Sequence, residues 1–118
     1  SIISSNSIIS KDVIIGDGSL VMPGCIINNG TRIKDHCIIN TGSIIEHDNY
    51  FDNFSSCGPG VVTGGNVTLG KLSHIGIGSA VKEKIKINDN VFIGGNSFIN
   101  KNCKKNSLYY GNPIKLIS

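Results

Sequence analysis

His47 has the most reactive setting of any side chain in this 118-residue sequence, because a carboxylate stands on each side of it. It is the next-to-last residue of the segment Asn40-Thr41-Gly42-Ser43-Ile44-Ile45-Glu46-His47-Asp48. An imidazole titrates near neutral pH, and a carboxylate beside it suits it to act as a general base. The alternative interpretation is an inert histidine on an exposed corner. The choice between the two depends on what lies above and below His47 in the fold.

The other two histidines have weaker settings. His36 takes a position at which most repeats of this chain carry Gly or Asn, so it is predicted to be a surface corner residue. His74 falls among apolar residues on an outward position, which favours a role at a subunit interface over catalysis.

A six-residue period must position these side chains. Every sixth residue from Ile3 to Ile99 is apolar, and only Cys57 and Thr63 soften the series. No helix repeats every six residues, so the period predicts an all-β fold, a parallel β-helix with inward-facing anchors. If three six-residue repeats (hexads) make one turn, residues 1–103 form a triangular prism of about six coils. At the usual strand spacing this prism would be under roughly 30 Å tall.

The same period places each residue n beside residue n+18 on the next coil. Gly65 is therefore expected one rung above His47, where it leaves room for a substrate and a free backbone N–H. Residues two before each anchor are expected to point inward, and nearly all of them are small or β-branched. The Gly or Asn residues that directly follow the anchors are predicted to turn the corners with positive φ. Examples are Gly16, Asn28, Gly58 and Gly76.

The outward residues divide into three sides. Side 1 carries Ile2, Leu20, Ile38, Ser56, His74 and Phe92, whereas side 2 carries Ile8, Ile26, Ile44, Val62, Ala80 and Phe98. Side 3 is more polar, with Ile14, Arg32, Tyr50, Thr68, Lys86 and Lys104. Two exposed apolar sides predict burial against other copies, most simply in a homotrimer. Residues 104–118 leave the period and are expected to pack on the helix or on a neighbouring subunit.

Composition and charge narrow the classes of partner, metal site and cellular location that are expected. The net charge is +3, and no aromatic residues are interleaved with the lysines, so no nucleic-acid partner is expected. No apolar run approaches the length of a membrane-spanning helix, so no membrane span is predicted. The four cysteines have neither a stacking pair nor a CxxC pair, which predicts free thiols, no zinc site and a cytoplasmic location. The chain starts at Ser1, so a longer parent protein is expected.

The sequence resembles the left-handed β-helix domain of the bacterial sugar O/N-acyltransferases, including sialic-acid O-acetyltransferases and bacillosamine-pathway N-acetyltransferases. The resemblance covers nearly the whole chain. It is most specific in the stretch from Asn40 to Asp48, at Pro59-Gly60, and from Gly64 to Gly70. Gly111 and Pro113 in the ending are similar to the family's G-x-P-A-K tail. The left hand of the helix is implied by the resemblance, since crossovers normally run right-handed.

The resemblance implies a catalytic group. His47 matches the general base, Asp48 matches an acidic residue that strengthens it, and Asn40 matches an asparagine beside the base. The backbone N–H of Gly65 matches the donor to the thioester carbonyl. The implied reaction is direct transfer of an acetyl group from acetyl-CoA to an amine or hydroxyl of a sugar or nucleotide-sugar, with no metal.

The resemblance also implies a coenzyme site. Ile77 and Gly95 match positions that line the acetyl-CoA channel through their backbones. Ser56 stands where many relatives have a second histidine that contacts the coenzyme, so this contact is altered. The two groups fall on different edges of side 2, which predicts a site shared by two subunits. Many relatives also carry an N-terminal nucleotide-binding domain, which is not in this sequence.

Two other functions stay open at this stage. One is a different hexapeptide acyltransferase with a non-sugar acceptor, such as a serine or tetrahydrodipicolinate type. The other is a non-catalytic β-helix that serves as a scaffold or oligomerisation domain.

Overall fold

Nineteen short strands, and no helix, form the protein in a computed structural model that describes all 118 residues. The strands are numbered β1–β19 in chain order. They form sheets of eight, six and five strands, and each sheet takes every third strand of the chain up to β17. This confirms the parallel β-helix and its triangular section.

The three sheets correspond to the three predicted sides. Side 1 contains β1 (Ile2–Ile3), β4 (Leu20–Val21), β7 (Ile38–Ile39), β10 (Ser56–Cys57), β13 (His74–Ile75), β16 (Val91–Ile93), β18 (Ser107–Tyr110) and β19 (Lys115–Leu116). Side 2 contains β2 (Ile8–Ile9), β5 (Ile26–Ile27), β8 (Ile44–Ile45), β11 (Val62–Thr63), β14 (Ala80–Val81) and β17 (Phe98–Ile99). Side 3 contains β3 (Ile14–Ile15), β6 (Arg32–Ile33), β9 (Tyr50–Phe51), β12 (Thr68–Leu69) and β15 (Lys86–Ile87).

The anchors form one continuous core. From Val21 to Ile99 every anchor is buried, and Phe51 is the largest of them. Ile3, in contrast, is 45% exposed because no coil lies beneath the first one. The register between coils is three hexads, as in Ser56 beside His74 and Thr68 beside Lys86. The sequence prediction of inward and outward positions is therefore confirmed through Ile99, but Lys104 does not take its predicted place on side 3, because Cys103 pairs with Ile87 two positions early.

Small polar residues share this core because the neighbouring coil satisfies their hydroxyl groups. Ser19 Oγ donates to Lys34 O at 2.7 Å and accepts from Cys37 N at 2.9 Å. Ser73 repeats the arrangement further up the prism, donating to Asn88 O at 2.6 Å. A buried hydroxyl that is fully hydrogen-bonded costs little, so serine can replace an apolar residue at these narrow positions.

The predicted corner residues are wrong by two positions. Positive φ occurs three residues after every anchor from Ile15 to Ile93, for example at Gly42, Asp48 and Phe54, and not at the glycines directly after the anchors. Glycine is required at those positions for a different reason. A Cβ on Gly58 would lie 2.8 Å from Ile77 N on the next coil, so close stacking, and not φ, excludes a side chain there.

We refer to the edge between sides 1 and 2 as corner 1, the edge between sides 2 and 3 as corner 2, and the edge between sides 3 and 1 as corner 3. The molecule measures 37 × 21 × 20 Å. It is taller than predicted because β18 and β19 add two strands to side 1.

The C-terminal segment folds onto the same chain. Strand β18 pairs parallel with β16, and β19 turns back antiparallel on β18. Ile114 is 2% exposed, and its N–H donates to Phe98 O at 3.0 Å at the top of side 2. This segment therefore closes the upper end of the core.

The four cysteines are buried and free, with no disulfide among them. No helix with the length and apolar character of a membrane span is present.

Candidate active site

His47 and Asp48 form a hydrogen-bonded pair at corner 2. His47 Nδ1 lies 3.0 Å from Asp48 Oδ2, and the two side chains are 48% and 53% exposed. A carboxylate at Nδ1 favours the tautomer that carries its proton there, which leaves the lone pair on Nε2. Asp48 has φ of 56°, a left-handed conformation that Asp adopts more readily than most residues. The pair can therefore present Nε2 to solvent as a proton acceptor.

Gly65 lies on the coil above, as its spacing predicts, and the imidazole packs directly against it. A Cβ on Gly65 would overlap His47 Nε2 and would stand 2.6 Å from its Cε1. The φ of Gly65 is not positive, so the contact with His47 is what requires glycine here. The backbone N–H of Gly65 donates no hydrogen bond within the chain. A base and a free donor thus stand side by side.

Asn49 is a site residue that the sequence analysis did not identify. It occupies a small inward position, is 1% exposed, and donates from Nδ2 to His47 O at 3.2 Å and to Gly64 O at 3.0 Å. Its Oδ1 has no partner. Asn49 therefore ties the turn that carries His47 to the turn above it. The available signal was that Asn49 is the only amide among the inward small residues.

The three corners differ in how many of their backbone donors are paired. At corner 3, side chains from the next coil take the equivalent N–H groups: Asp35 Oδ1 accepts from Asp17 N at 2.8 Å, and Asp89 Oδ1 accepts from Lys71 N at 2.9 Å. At corner 1 the corresponding N–H groups of Ile77 and Gly95 have no acceptor. The N–H groups of Gly65, Ile77 and Gly95 at corners 1 and 2 can therefore bind an external acceptor such as an amide or thioester carbonyl, whereas most of the equivalent groups at corner 3 are already taken.

Ile77 and Gly95, which are expected to line the coenzyme channel, lie at corner 1 and not beside His47. Ile77 is 60% exposed there, and Gly95 stands one coil above it. Gly111 is near the top of side 2, where its N–H donates to Ser97 Oγ at 3.1 Å, and Pro113 follows it on the surface. The prism is about 20 Å across, so one chain does not bring these residues and His47 to a single point.

Asn40 does not stand beside His47 in this chain. It lies at corner 1, at the opposite edge of side 2, and its Oδ1 accepts from Thr41 N at 2.8 Å. The segment between the two residues crosses one whole side of the prism, so they are neighbours in sequence only. Any part that Asn40 plays next to a base requires a second chain.

Ser56 and His74 form a second imidazole-containing pair, on side 1. Ser56 Oγ lies 2.7 Å from His74 Nδ1, and the imidazole stacks on Phe92 with ring centroids 5.4 Å apart. Burial lowers the pKa of His74. The pair is therefore a polar patch, with a neutral imidazole at neutral pH, on an otherwise apolar side.

Charge is distributed unevenly around the prism. Among residues 2–99, every Lys, Arg, Asp and Glu lies on side 3 or at corners 2 and 3, and none lies on sides 1 and 2 or at corner 1. Exposed apolar side chains occupy the uncharged half, including Ile8 at 69%, Phe92 at 53% and Val62 at 41% exposure. No group of three or more His, Cys, Asp or Glu side chains is placed to hold a metal ion.

The protein family described as bacterial transferase hexapeptide (six repeats) matches residues 12–47. The acetyltransferase domain of PglB from Neisseria gonorrhoeae superposes with a TM-score of 0.96 at 30% identity, covering 98% of this chain and 56% of that one. The chain shares the left-handed β-helix fold of this acetyltransferase domain. The same PglB domain has also been solved in complex with acetyl coenzyme A.

Two further structures extend the comparison of this β-helix. PerB from Caulobacter crescentus, solved with CoA and GDP-perosamine, superposes with a TM-score of 0.97 at 28% identity, covering 98% of this chain and 56% of PerB. WeeI from Acinetobacter baumannii shares the fold, with a TM-score of 0.93 at 24% identity, covering 97% of this chain and 56% of WeeI. The β-helix spans about half the length of these proteins.

Proposed function

We propose that this β-helix is the catalytic domain of an acetyl-CoA-dependent acyltransferase that acetylates an amine or hydroxyl group of a sugar or nucleotide-sugar. The observation that carries the proposal is the arrangement at corner 2. There Asp48 orients His47, and the free N–H of Gly65 stands against the same imidazole. The complexes of PglB with acetyl coenzyme A and of PerB with CoA and GDP-perosamine support the choice of co-substrate and acceptor class.

The proposed reaction is direct transfer. The acceptor nitrogen or oxygen attacks the thioester carbonyl while His47 Nε2 removes its proton. The Gly65 N–H donates to the oxyanion of the tetrahedral intermediate, and Asp48 stabilises the imidazolium that forms. Collapse of the intermediate breaks the C–S bond, and the imidazolium returns its proton to the departing CoA thiolate. None of these steps requires a covalent enzyme intermediate.

Acetyl-CoA is proposed to lie along corner 1. The unpaired N–H groups of Ile77 and Gly95 are donors for the amide carbonyls of its pantetheine arm. Gly111 and Pro113 form the upper end of the same surface. Ser56, on the adjoining side 1, is proposed to border the coenzyme together with His74, which holds it by the 2.7 Å hydrogen bond.

The active site is proposed to form between two subunits of a homotrimer. Corner 1 and corner 2 are separated by the full width of side 2, and within residues 2–99 the apolar half of the prism carries no Lys, Arg, Asp or Glu that would oppose contact with another copy. A base from one chain would then face the coenzyme surface of its neighbour. An active preparation that is clearly monomeric would contradict this arrangement.

Complementation between two inactive chains tests the shared site. A His47→Ala chain lacks the base, and an Ile77→Asp chain carries a charge on the coenzyme surface. Co-expression should restore roughly a quarter of wild-type activity, because random mixing places one intact base opposite one intact coenzyme surface in that share of contacts. No recovery in mixed trimers would argue for a site within one chain.

An acetyl-transfer screen against amino sugars, UDP- and GDP-linked amino sugars and sialic acids tests the activity itself. It should include this chain and any longer form of the protein. With a reactive acceptor, His47→Ala should lower turnover by about 10²–10⁴ if His47 is the base. His36→Ala is the matched control, because His36 is a corner histidine stacked on Phe54 at corner 3. Equal activity of both variants would reject His47.

The rival functions predict different results. A non-catalytic scaffold should bind no acetyl-CoA in calorimetry, whereas an acyltransferase with a non-sugar acceptor should bind it and fail with every sugar. The proposal includes a cytoplasmic location, which the four free thiols favour.

A further inference from the structure

A cavity of about 300 Å³ opens on side 3, away from the proposed acetyl-transfer residues. Tyr50, Thr68 and Lys86 form one wall because they are register partners on strands β9, β12 and β15. Tyr50 and Thr68 are half-buried. None of the residues proposed for catalysis or for coenzyme binding lines this cavity.

A shortened final turn forms the upper rim. Partners on successive coils are three hexads apart through Ile99, but Cys103 bridges Ile87 two positions earlier than that spacing requires. The chain therefore crosses the top of side 3 early, and Lys105 lines the opening. Asn88 Nδ2 holds this crossing in place by donating to Cys103 O at 2.8 Å. The cavity is thus a consequence of the irregular turn, and the regular repeat alone would not form it.

The cavity contains cations that have no partner. The two ion pairs of the chain are His47–Asp48 and Lys82–Glu83, so no carboxylate forms an ion pair with the ammonium groups of Lys86 and Lys105. The hydroxyl groups of Tyr50 and Thr68 make no hydrogen bond within the chain. The lining therefore offers two ammonium groups, two free hydroxyls and one aromatic ring.

Two carboxylates complete the lining and determine the class of ligand. Asp89 Oδ1 accepts from Lys71 N at 2.9 Å, and Asp52 Oδ1 accepts from Asn53 N at 2.7 Å, so each Asp keeps one oxygen for a further donor. Because these charges balance the two lysines, a bare inorganic anion gains little in the cavity. A ligand that combines one anionic group with several hydroxyl groups has a partner for each.

We propose that this cavity binds an acidic monosaccharide unit. The carboxylate or phosphate of the sugar is held by Lys86 and Lys105, its hydroxyl groups donate to Asp52 and Asp89, and its ring lies against Tyr50. The volume lies at the lower end of the range for small-ligand sites, which suits one sugar ring. This site is independent of the acetyl-transfer site, so either proposal can fail without the other.

Titration of the isotope-labelled protein with glucose 1-phosphate and with glucuronate tests the site. Both should shift the amide signals of residues 50, 68 and 86–89, and glucose and inorganic phosphate should each bind at least about tenfold more weakly. Lys86→Gln and Lys105→Gln should each weaken binding of the acidic sugars about tenfold, since each removes a charged hydrogen bond. Lys11→Gln, an exposed lysine at corner 2, should leave binding unchanged.

Three results would overturn the proposal. The first is that neither acidic sugar binds. The second is that both lysine variants bind as the wild type does, and the third is that inorganic phosphate binds as tightly as glucose 1-phosphate. Because both lysines are exposed, the variants should keep the native circular dichroism spectrum and thermal midpoint.

Discussion

Substitution of Gly65 by alanine tests the contact between Gly65 and the imidazole of His47, the two parts of the proposed catalytic group at corner 2. The new methyl would overlap His47 Nε2 and stand 2.6 Å from Cε1, whereas ordinary van der Waals contact begins at 3.4 Å. The imidazole must therefore move by about 1 Å or turn away into solvent. The Gly65 N–H is retained, and the backbone there has an ordinary negative-φ conformation. Only the position of the base changes.

The expected cost follows from that displacement. A shift of about 1 Å in a reacting group lowers the rate by about 10²-fold, so Gly65→Ala should reduce kcat by roughly that factor. The KM for acetyl-CoA should change little, because the coenzyme surface at corner 1 is untouched. Stability should also be preserved, since His47 is 48% exposed and can leave its place without opening a cavity.

A double-mutant cycle tests whether Gly65 acts through the His47 imidazole. In the His47→Ala background there is no imidazole to displace, so Gly65→Ala should cost almost nothing further. Turnover can be followed as release of CoA from acetyl-CoA, with the acceptor taken from the screen. Gly18→Ala is the matched control, because its methyl would meet the ring of His36 in the same way at corner 3. That variant should be less stable, since Gly18 has φ of 71°, but fully active.

Two results would refute the reasoning. Wild-type turnover in Gly65→Ala would mean that the position of His47 is irrelevant to the chemistry. An equal loss in the presence and absence of the imidazole would mean that Gly65 acts through something other than His47.

Three further predictions follow from the rest of the molecule. Val62→Asp on side 2 should convert the trimer to monomers in light scattering, whereas Arg32→Asp on side 3 should not, because side 2 is expected to be covered by another copy and side 3 is not; identical masses would contradict this. Burial lowers the pKa of His74 from its usual 6.5, so the unfolded chain binds a proton at higher pH than the folded one. The free energy of unfolding should therefore be steady above pH 7.5 and fall as the pH drops through about 6.5, and a His74→Gln variant should lack this component in chemical denaturation. Burial raises the pKa of Cys57 and Cys103 to about 11, so neither thiol should react with a disulfide reagent at pH 8 until the protein is unfolded.

Several site features could be predicted from the sequence because they depend on the period alone. The spacing of three hexads put Gly65 above His47, and the neighbouring position of Asp48 put a carboxylate within reach of Nδ1. The same indexing placed His74 on an outward side and His36 at a corner.

Other features could not be predicted because they depend on contacts across the prism. Asn49 has the pattern of an inward residue, but only the folded chain shows that its amide reaches His47 O and Gly64 O on two coils. The resemblance implies that Asn40 stands beside a base, but within one chain Asn40 and His47 lie at opposite edges of side 2. The sequence predicts positive φ for the glycines directly after the anchors, whereas the close approach of the next coil is what excludes a side chain there.

The sequence by itself determined the β-helix, its three sides and the uncharged half of its surface, because a strict six-residue period assigns every residue an inward, outward or corner position. Only the tertiary structure decided which backbone N–H groups stay free, because that depends on whether a side chain from the next coil reaches them. At corner 3 Asp35 and Asp89 do reach them, and at Gly65, Ile77 and Gly95 nothing does. The tertiary structure also decided the cavity on side 3, since a final turn two residues short brings Lys105 over it.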